Sequence, residues 1–241
     1  MEFVTGKMEQ KSMDLKAFKN CEGGDDPVGV EGAVHSIRNM GELAFIILRR
    51  ECGLIQTVWE DQKTNMDISQ LHDGDYIRVE GTVRIEPRAV HGREVRISTI
   101  TVLSAAAAPL PLPVAKWKLN TSLETKLNLR PISLRNIREL SRFRIQEGIV
   151  RGFRDFLYSQ GFTEIHTPKL GARGAEGGSN IFKLSYFHKP AILEQSPQLY
   201  KQMMVGVFDR VFETGPVFRA EKHNTRRHLN EYTSLDFEMG Y

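Results

Sequence analysis

Five short runs between residues 28 and 104 constrain the fold of this 241-residue chain more than anything else in it. They are VGVEGAVHSIR, LAFIILRR, GLIQTVWE, DYIRVEGTVRIEP and REVRISTITVLS, each rich in β-branched and aromatic residues. Asn39–Met40–Gly41, Cys52–Gly53, Asp73–Gly74 and His91–Gly92 break them, and glycine-bearing breaks of this kind supply the turns between strands. Only the third and fourth runs are separated by enough chain, DQKTNMDISQLHD, for one short helix.

Five strands with a helix after the third is the order of an OB-fold barrel, whose second and third strands commonly carry oligonucleotides. In the second run both alternating sets are apolar: Leu43, Phe45 and Ile47 on one side, Ala44, Ile46 and Leu48 on the other. One set can fill the barrel; the other needs a cover. A base stacked on Phe45 would provide one, worth about 1–3 kcal/mol per base. A neighbouring domain lying over Phe45 would provide another.

With 40% hydrophobic and 26% charged residues the composition is that of a globular protein, with chain enough for one or two domains. The formal net charge of +3 neither demands nor excludes nucleic acid, so any basic footprint must be local. Two cysteines, Cys21 and Cys52, lack metal-ligand spacing, which fits a reducing compartment and argues against a disulfide scaffold or structural zinc. The N-terminal residues are mixed and charged, and no run approaches the length of a membrane span. A cytoplasmic protein with no membrane partner is expected.

The stretch AAAAPLPLP (105–113) marks a composition break whose prolines favour an extended connection. The expected organisation is a barrel domain over 1–104, a linker or hinge over 105–133 with helical pieces, and a second domain over 134–241. From Leu134 to Gln160, Leu140, Phe143, Ile149, Phe153, Phe156 and Leu157 fall near helical spacing, with Gly161 placed as a helix-terminating glycine. FTEIHTPKL reads as a strand; Pro168 lacks a backbone donor and belongs at a sheet edge or interface. GARGAEGGSNIF is a glycine-rich loop with one acid, Glu176, and lacks the spacing of a phosphate loop. ILEQSPQLYKQMM begins as a strand and continues as a helix, with Ser196 as N-cap, Pro197 at the first helical position, and Gln198 and Lys201 on one face. VFETGPVF and YTSLDFEM then form a hairpin whose charged loop can present cations and carboxylates from one sheet face. Leu235, Phe237 and Met239 point the same way.

In this order these segments resemble a class II aminoacyl-tRNA synthetase, and among them the aspartyl-tRNA synthetases of archaeal and eukaryotic type. RFRIQEGIVRGFRDFLYSQGFTEIHTPKL resembles motif 1, the dimer-forming helix and strand, with Pro168 as its proline. GAEGGSNIF resembles the flipping loop, QSPQLYKQ the amino-acid-binding segment, and GPVFRAEKHNTRRHLNEYTSLDFEM motif 2. The resemblance implies an α+β fold: a five-stranded OB-fold barrel that binds the anticodon, followed by part of a catalytic domain with an antiparallel sheet flanked by helices. It implies a homodimer that activates L-aspartate with ATP and Mg2+ and transfers it to tRNA(Asp), with tRNA(Asn) as an open second substrate.

The resemblance also implies roles. Arg219 would bridge the ATP α-phosphate and the substrate carboxylate, as its planar fork allows. Glu221 would accept from the adenine amino group, Tyr232 would stack on the ring, Arg227, His228 and Leu229 would line the bent triphosphate, and Ala220 would also bind ATP. Glu176, Ser196 and Gln198 would surround the α-amino group, and Lys201, oriented by Asp236, would pair with the side-chain carboxylate. Arg38, Phe45 and Gln56 would contact anticodon bases. A lysine at 201 suits aspartate better than asparagine, because the wrong charge leaves a buried ion unpaired. Motif 3 is absent before Tyr241, as are the acids that hold magnesium and an arginine expected to share the aspartate carboxylate. An N-terminal part of a longer enzyme, inactive alone and with no metal ligand of its own, is therefore expected. An asparaginyl enzyme and a non-catalytic tRNA-binding fragment are the alternatives.

Overall fold

The computed structural model describes residues 12–51, 53–172, 180–223, 225 and 227–240. The chain divides into two compact units, Met1–Arg142 and Phe143–Tyr241.

The first unit opens with a six-residue helix, α1 (Leu15–Asn20), whose Asp14 cap accepts from the Ala17 N–H at 2.6 Å. Six residues cannot hold a helix in water. This one forms because Phe18, fully buried, and Leu15 pack into the barrel core. Five strands follow: β1 (Pro27–Asn39), β2 (Leu43–Arg50), β3 (Gly53–Glu60), β4 (Tyr76–Ile85) and β5 (Arg93–Ser104). They close a barrel in the order β1-β2-β3-β5-β4, antiparallel except for β3 with β5. The slot between β3 and β4 holds a single 3-10 turn, Ile68–Gln70, capped by Asp67. Val30, Ala44, Ile46, Leu48, Ile55, Ile77, Val79 and Val95 have no exposed surface, so the barrel is a filled core.

The barrel register shifts at three places, between Val34 and Ser36, between Tyr76 and Ile77, and between Glu80 and Gly81, and the first and last shape it most. In β1, Val34 pairs with Leu48 but Ser36 with Ile47, leaving His35 as an extra residue. This bulge turns Ser36 and Arg38 towards the side of β2 that bears Phe45. His35 itself is buried, and its Nδ1 has no partner among the described residues. Burial first, then the Arg49 guanidinium, holds its pKa below the usual histidine value. Between β4 and β5 the register slips at Gly81, where the Arg96 carbonyl oxygen lies 1.9 Å from where a Cβ would be.

The stretch 105–133 packs within this first unit. Leu112, Val114 and Leu119 are buried, and the Ala106 N–H reaches Asp75 Oδ1 at 2.7 Å. It carries α2 (Leu123–Asn128) and α3 (Arg130–Ser133), followed by the long α4 (Ile137–Ser159), within which the division between units falls.

In the second unit Phe153 and Leu157 of α4 close over Phe162 and Phe212, while Phe143, Ile149 and Phe156 stay more than half exposed. Gly161 ends the helix at φ 75°, and the Phe162 N–H reaches back to the Leu157 carbonyl at 3.0 Å. FTEIHTPKL is not one strand. Thr163–Glu164 (β6) runs parallel to β10 (Arg210–Phe218), and Leu170–Gly171 (β7) joins a separate sheet with β8 (Lys183–Tyr186) and β9 (Lys189–Leu193). Exposed Pro168 lies in the crossing between the two sheets, where no ladder bond is asked of it. Helix α5 (Gln198–Phe208) starts one residue later than its sequence suggests: Pro197 holds the cap position, and Ser196 Oγ accepts from the Gln198 N–H at 3.3 Å. The hairpin of β10 with β11 (Glu231–Met239) is in continuous register from Arg210↔Met239 to Phe218↔Glu231.

Candidate active site and nucleic-acid face

On the barrel, register alone assembles a groove. One cross-strand row is Arg38–Phe45–Val58–Arg96; the next is Ser36–Ile47–Gln56–Glu94. Paired residues on neighbouring strands share a face, so Arg38, Phe45 and Gln56 come together, lining a groove of about 540 Å3. Ala44, Ile46 and Leu48 fill the barrel, and Leu43, Phe45 and Ile47 form the half-buried floor of this groove. Glu94 and Arg96, which the sequence reading did not single out, complete it. Glu94 is only 3% exposed, accepts from Gln56 Nε2 at 2.9 Å and pairs with Arg96 Nε at 3.1 Å. Arg96 also reaches Glu60 at 2.7 Å. Lys63 first, then Arg96, donate to Glu60 and hold its carboxyl below the usual range. The signal available for Glu94 was an acid within an otherwise core-forming strand. The groove thus offers an aromatic face, an amide and a charged pair, which is what reading an unstacked base requires.

In the second unit the β10–β11 hairpin turns Glu213, Gly215 and Val217 to the same face as Asp236, Ser234 and Tyr232. Helix α5 lays Gln198 and Lys201 on that face. Lys201, 5% exposed, has Nζ 3.2 Å from Asp236 Oδ1 and 3.6 Å from Glu238 Oε2, while Gln198 Nε2 is 3.3 Å from Glu238 Oε2. Ser234 Oγ closes the group by donating to Asp236 Oδ2. A lysine is buried here because its charge is matched on the spot.

Backbone bonds bring the remaining segments to the same end of the sheet. The Phe218 N–H reaches the Glu194 carbonyl at 3.0 Å, the Ala220 N–H the Asn180 carbonyl at 3.0 Å, and the Arg219 N–H the Asn230 carbonyl at 2.9 Å. Ser196 is thereby held next to the start of the charged loop. Arg219, Ala220, Glu221 and Tyr232 are half-buried. Arg227, His228 and Leu229 are exposed further along the loop, where Thr225 Oγ1 and His228 Nδ1 lie 2.7 Å apart. Glu176 lies outside the described residues. On the face that bears Asp236, Glu213 is buried and accepts from the Thr167 N–H (3.0 Å), Thr167 Oγ1 (2.7 Å) and Lys169 Nζ (2.9 Å), tying the crossing that bears Pro168 to the sheet. Gln195, also buried, donates to the Asn180 carbonyl at 3.0 Å. Among the described residues no group of three or more His, Cys, Asp or Glu side chains could hold a metal ion, and no helix is long and apolar enough to cross a membrane.

Two family models match the chain: tRNA synthetases class II (D, K and N) over residues 122–241, and the OB-fold nucleic acid binding domain over residues 28–103. The chain belongs to the class II tRNA synthetases.

Its relatives place this synthetase chain more finely. The aspartate–tRNA(Asp/Asn) ligase of Deinococcus radiodurans is 44% identical over 214 residues, which are 89% of this chain and 48% of that protein. The aspartate–tRNA(Asp) ligase of Thermoplasma acidophilum is 43% identical over 216 residues, 89% of this chain and 50% of that protein. Among solved structures, asparaginyl-tRNA synthetase from Pyrococcus horikoshii complexed with asparaginyl-adenylate superposes with a TM-score of 0.84 at 29% identity. The match covers 97% of this chain and 54% of that one. Aspartyl tRNA synthetase from Entamoeba histolytica gives 0.72 at 30% identity, over 99% and 55%. The synthetase chain thus spans about half the length of the curated relatives it matches.

Proposed function

We propose that this chain is part of an aspartate–tRNA ligase, and that the buried Lys201–Asp236 pair, whose aspartate lies on the hairpin that leads to Arg219, carries the reading. In the first step an α-carboxylate oxygen of L-aspartate attacks the α-phosphorus of ATP; the bond to pyrophosphate breaks and aspartyl-adenylate forms. In the second, a hydroxyl of the terminal adenosine of tRNA(Asp) attacks the adenylate carbonyl and AMP leaves. No side-chain nucleophile is required, and catalysis is positioning plus relief of negative charge on the α-phosphate. Arg219 takes that charge. Ala220 and Glu221 hold the adenine edge under Tyr232, and Arg227, His228 and Leu229 follow the triphosphate. Glu176, Ser196 and Gln198 receive the ammonium group. Magnesium bound to ATP would offset triphosphate charge; among the described residues no cluster of acids is placed to hold it.

Lys201 receives the substrate's side-chain carboxylate, with Asp236 fixing its ammonium. Counting charges, Lys201 with Asp236 and Glu238 already sums to −1, and a bound aspartate side chain brings this to −2. Selective binding therefore needs a second cation at that carboxylate, outside this group. The barrel groove takes the anticodon, with Phe45 stacking on a base, Gln56 reading an edge and Arg38 contacting a base beside them. The complete enzyme works as a homodimer built on the exposed face of α4 and Pro168, in the cytoplasm.

The test is amino-acid-dependent exchange of pyrophosphate into ATP by the complete enzyme. L-Aspartate should drive exchange and L-asparagine should not, and Lys201→Ala should raise the KM for aspartate by at least about 100-fold, as expected for a carboxylate left without its buried partner. Exchange driven by asparagine, or an unchanged KM in the variant, overturns the assignment. Whether tRNA(Asn) is also charged is read by aminoacylation of both transcripts.

A further inference from the structure

Trp117 is a large aromatic side chain with 74% of its surface free. Its loop, however, is firmly built. Leu112, Val114 and Leu119 on either side are buried, and the amide of Asn136, itself 2% exposed, donates to the Val114 carbonyl at 2.9 Å and the Lys116 carbonyl at 2.6 Å. The oxygen of the same amide accepts from the Arg138 and Glu139 N–H groups at 3.1 and 3.2 Å, capping α4. One side chain thus fixes both the loop and the first turn of the helix, and that arrangement places the Arg138 guanidinium 5.8 Å from the Trp117 ring centroid, within cation–π reach.

The surroundings are basic. Lys116 and Lys118 flank Trp117 in sequence and are exposed, and the segment Val114–Asn120 contains no acid. The nearest acid on α4, Glu139, is buried and taken by Lys126 at 2.7 Å and Arg142 at 2.9 Å. A held aromatic face with one guanidinium against it and a lysine on either side in sequence, in a segment without acids, matches a nucleobase between phosphates. A protein partner would leave those cations to be desolvated without compensation.

We infer that Trp117, with Lys116, Lys118 and Arg138, is a second RNA contact on the first unit, separate from the Phe45 groove, that takes an unstacked base of the bound tRNA and its flanking phosphates. The inference rests on the proposed tRNA-binding function. The only other tryptophan in the sequence, Trp59, is 5% exposed, so acrylamide quenching of tryptophan emission reports mainly on position 117.

The experiment titrates this chain, at fixed salt, with a full tRNA(Asp) transcript and with a hairpin carrying its GUC anticodon loop. The transcript should shield Trp117 from acrylamide. Trp117→Ala should weaken transcript binding about tenfold, the loss of one stacked base, while Trp117→Phe retains most of it. Lys116→Gln with Lys118→Gln should lower the slope of log K against log salt by about 1.4, two single-strand phosphate contacts. Unchanged transcript affinity in Trp117→Ala, or a Trp117 still open to acrylamide at saturation, overturns this inference and leaves the anticodon reading standing. Failure of the unsubstituted chain to prefer the GUC hairpin over a scrambled loop sinks the anticodon reading itself.

Discussion

Replacing Gly81 by alanine should damage the barrel more than any other glycine substitution in it. A Cβ there would sit 1.9 Å from the Arg96 carbonyl oxygen, 2.8 Å from its carbon and 3.1 Å from Ile97 Cα. Clearing the 3.0 Å floor below which Cβ contacts are essentially never found needs about 1 Å of movement, and every obstacle is backbone. The strand cannot yield outwards, because β4 is bonded on its other side to β1, with Val28 opposite Gly81, in a closed barrel. The cost should therefore reach the top of the range for inserting a methyl into a packed core, about 3 kcal/mol, a large share of the ~5–15 kcal/mol that holds a domain together. Urea unfolding followed by emission of Trp59, buried with its Nε1 bonded to Met66 at 2.8 Å, should show a midpoint lower by about 1 M or more. Gly92→Ala is the control: its added Cβ meets open space, so only its φ of 71° is strained, at about 1–2 kcal/mol. A Gly81 variant no less stable than the Gly92 variant would refute the reasoning.

Other expectations follow from the same geometry. Gly148→Ala, mid-helix in α4 with nothing within 4 Å of the new methyl, should stabilise by about 0.5–1 kcal/mol, visible as a raised melting temperature. Lys201→Met leaves Asp236 and Glu238 without their cation. Because those carboxylates keep 18% and 33% of their side-chain surface, the loss should be about 1–2 kcal/mol rather than the ~3–5 of a fully buried pair, and Asp236→Asn should recover part of it in a double-mutant cycle. Burial, then the Arg49 guanidinium, holds the His35 pKa below the usual histidine value of 6.5, so the unfolded chain takes up the proton first. Its contribution is complete above pH 6.5 and fades as pH falls towards the folded-state value; the stability difference between the native chain and His35→Gln, followed by urea unfolding from pH 7.5 to 5, should narrow on acidification. Phe45→Ala should weaken binding of a GUC anticodon hairpin about tenfold without lowering stability by more than about 1 kcal/mol, since the ring is only half-buried; equal hairpin binding by both proteins would remove the stacking role.

The barrel strands were legible because each is a β-branched run bounded by turn residues, so β2 and β3 begin and end where the pattern breaks. The exposed set on β2 was legible for the same reason: two apolar faces on one strand demand two covers. Helix α1 was not legible, since LKAFKN carries little periodicity and its helix exists only through the burial of Phe18 and Leu15 under the barrel. FTEIHTPKL split between two sheets for a tertiary reason as well: Ile165 bonds back to Phe212, after which the chain is drawn away by Glu213 and Lys169. At the candidate site, the shared face of Gln198 and Lys201 follows from helical spacing. Their acceptors Asp236 and Glu238 come from a strand whose inward side is set by α5 packing, which no local window contains. Glu94 escaped notice because acids in strands usually face water, whereas this one is sealed between Gln56 and Arg96.

Strand β11 ends the sheet order β11-β10-β6, and its alternation runs backwards for a water-washed edge. Ser234, Asp236 and Glu238 turn inwards, and Leu235, Phe237 and Met239 stand 37%, 54% and 48% exposed. Sheets ordinarily guard such a margin with lysines or prolines on the outer face. Here the charges are committed to Lys201, so the opposite face, where Phe237 meets only the edge of Phe162, is left sticky, and among the described residues no strand pairs with the far side of β11, which can template another strand. Concentrated solutions of this chain should therefore lose monomer with time. A lysine at Phe237 should restore colloidal stability while leaving the Lys201 cluster on the opposite face intact.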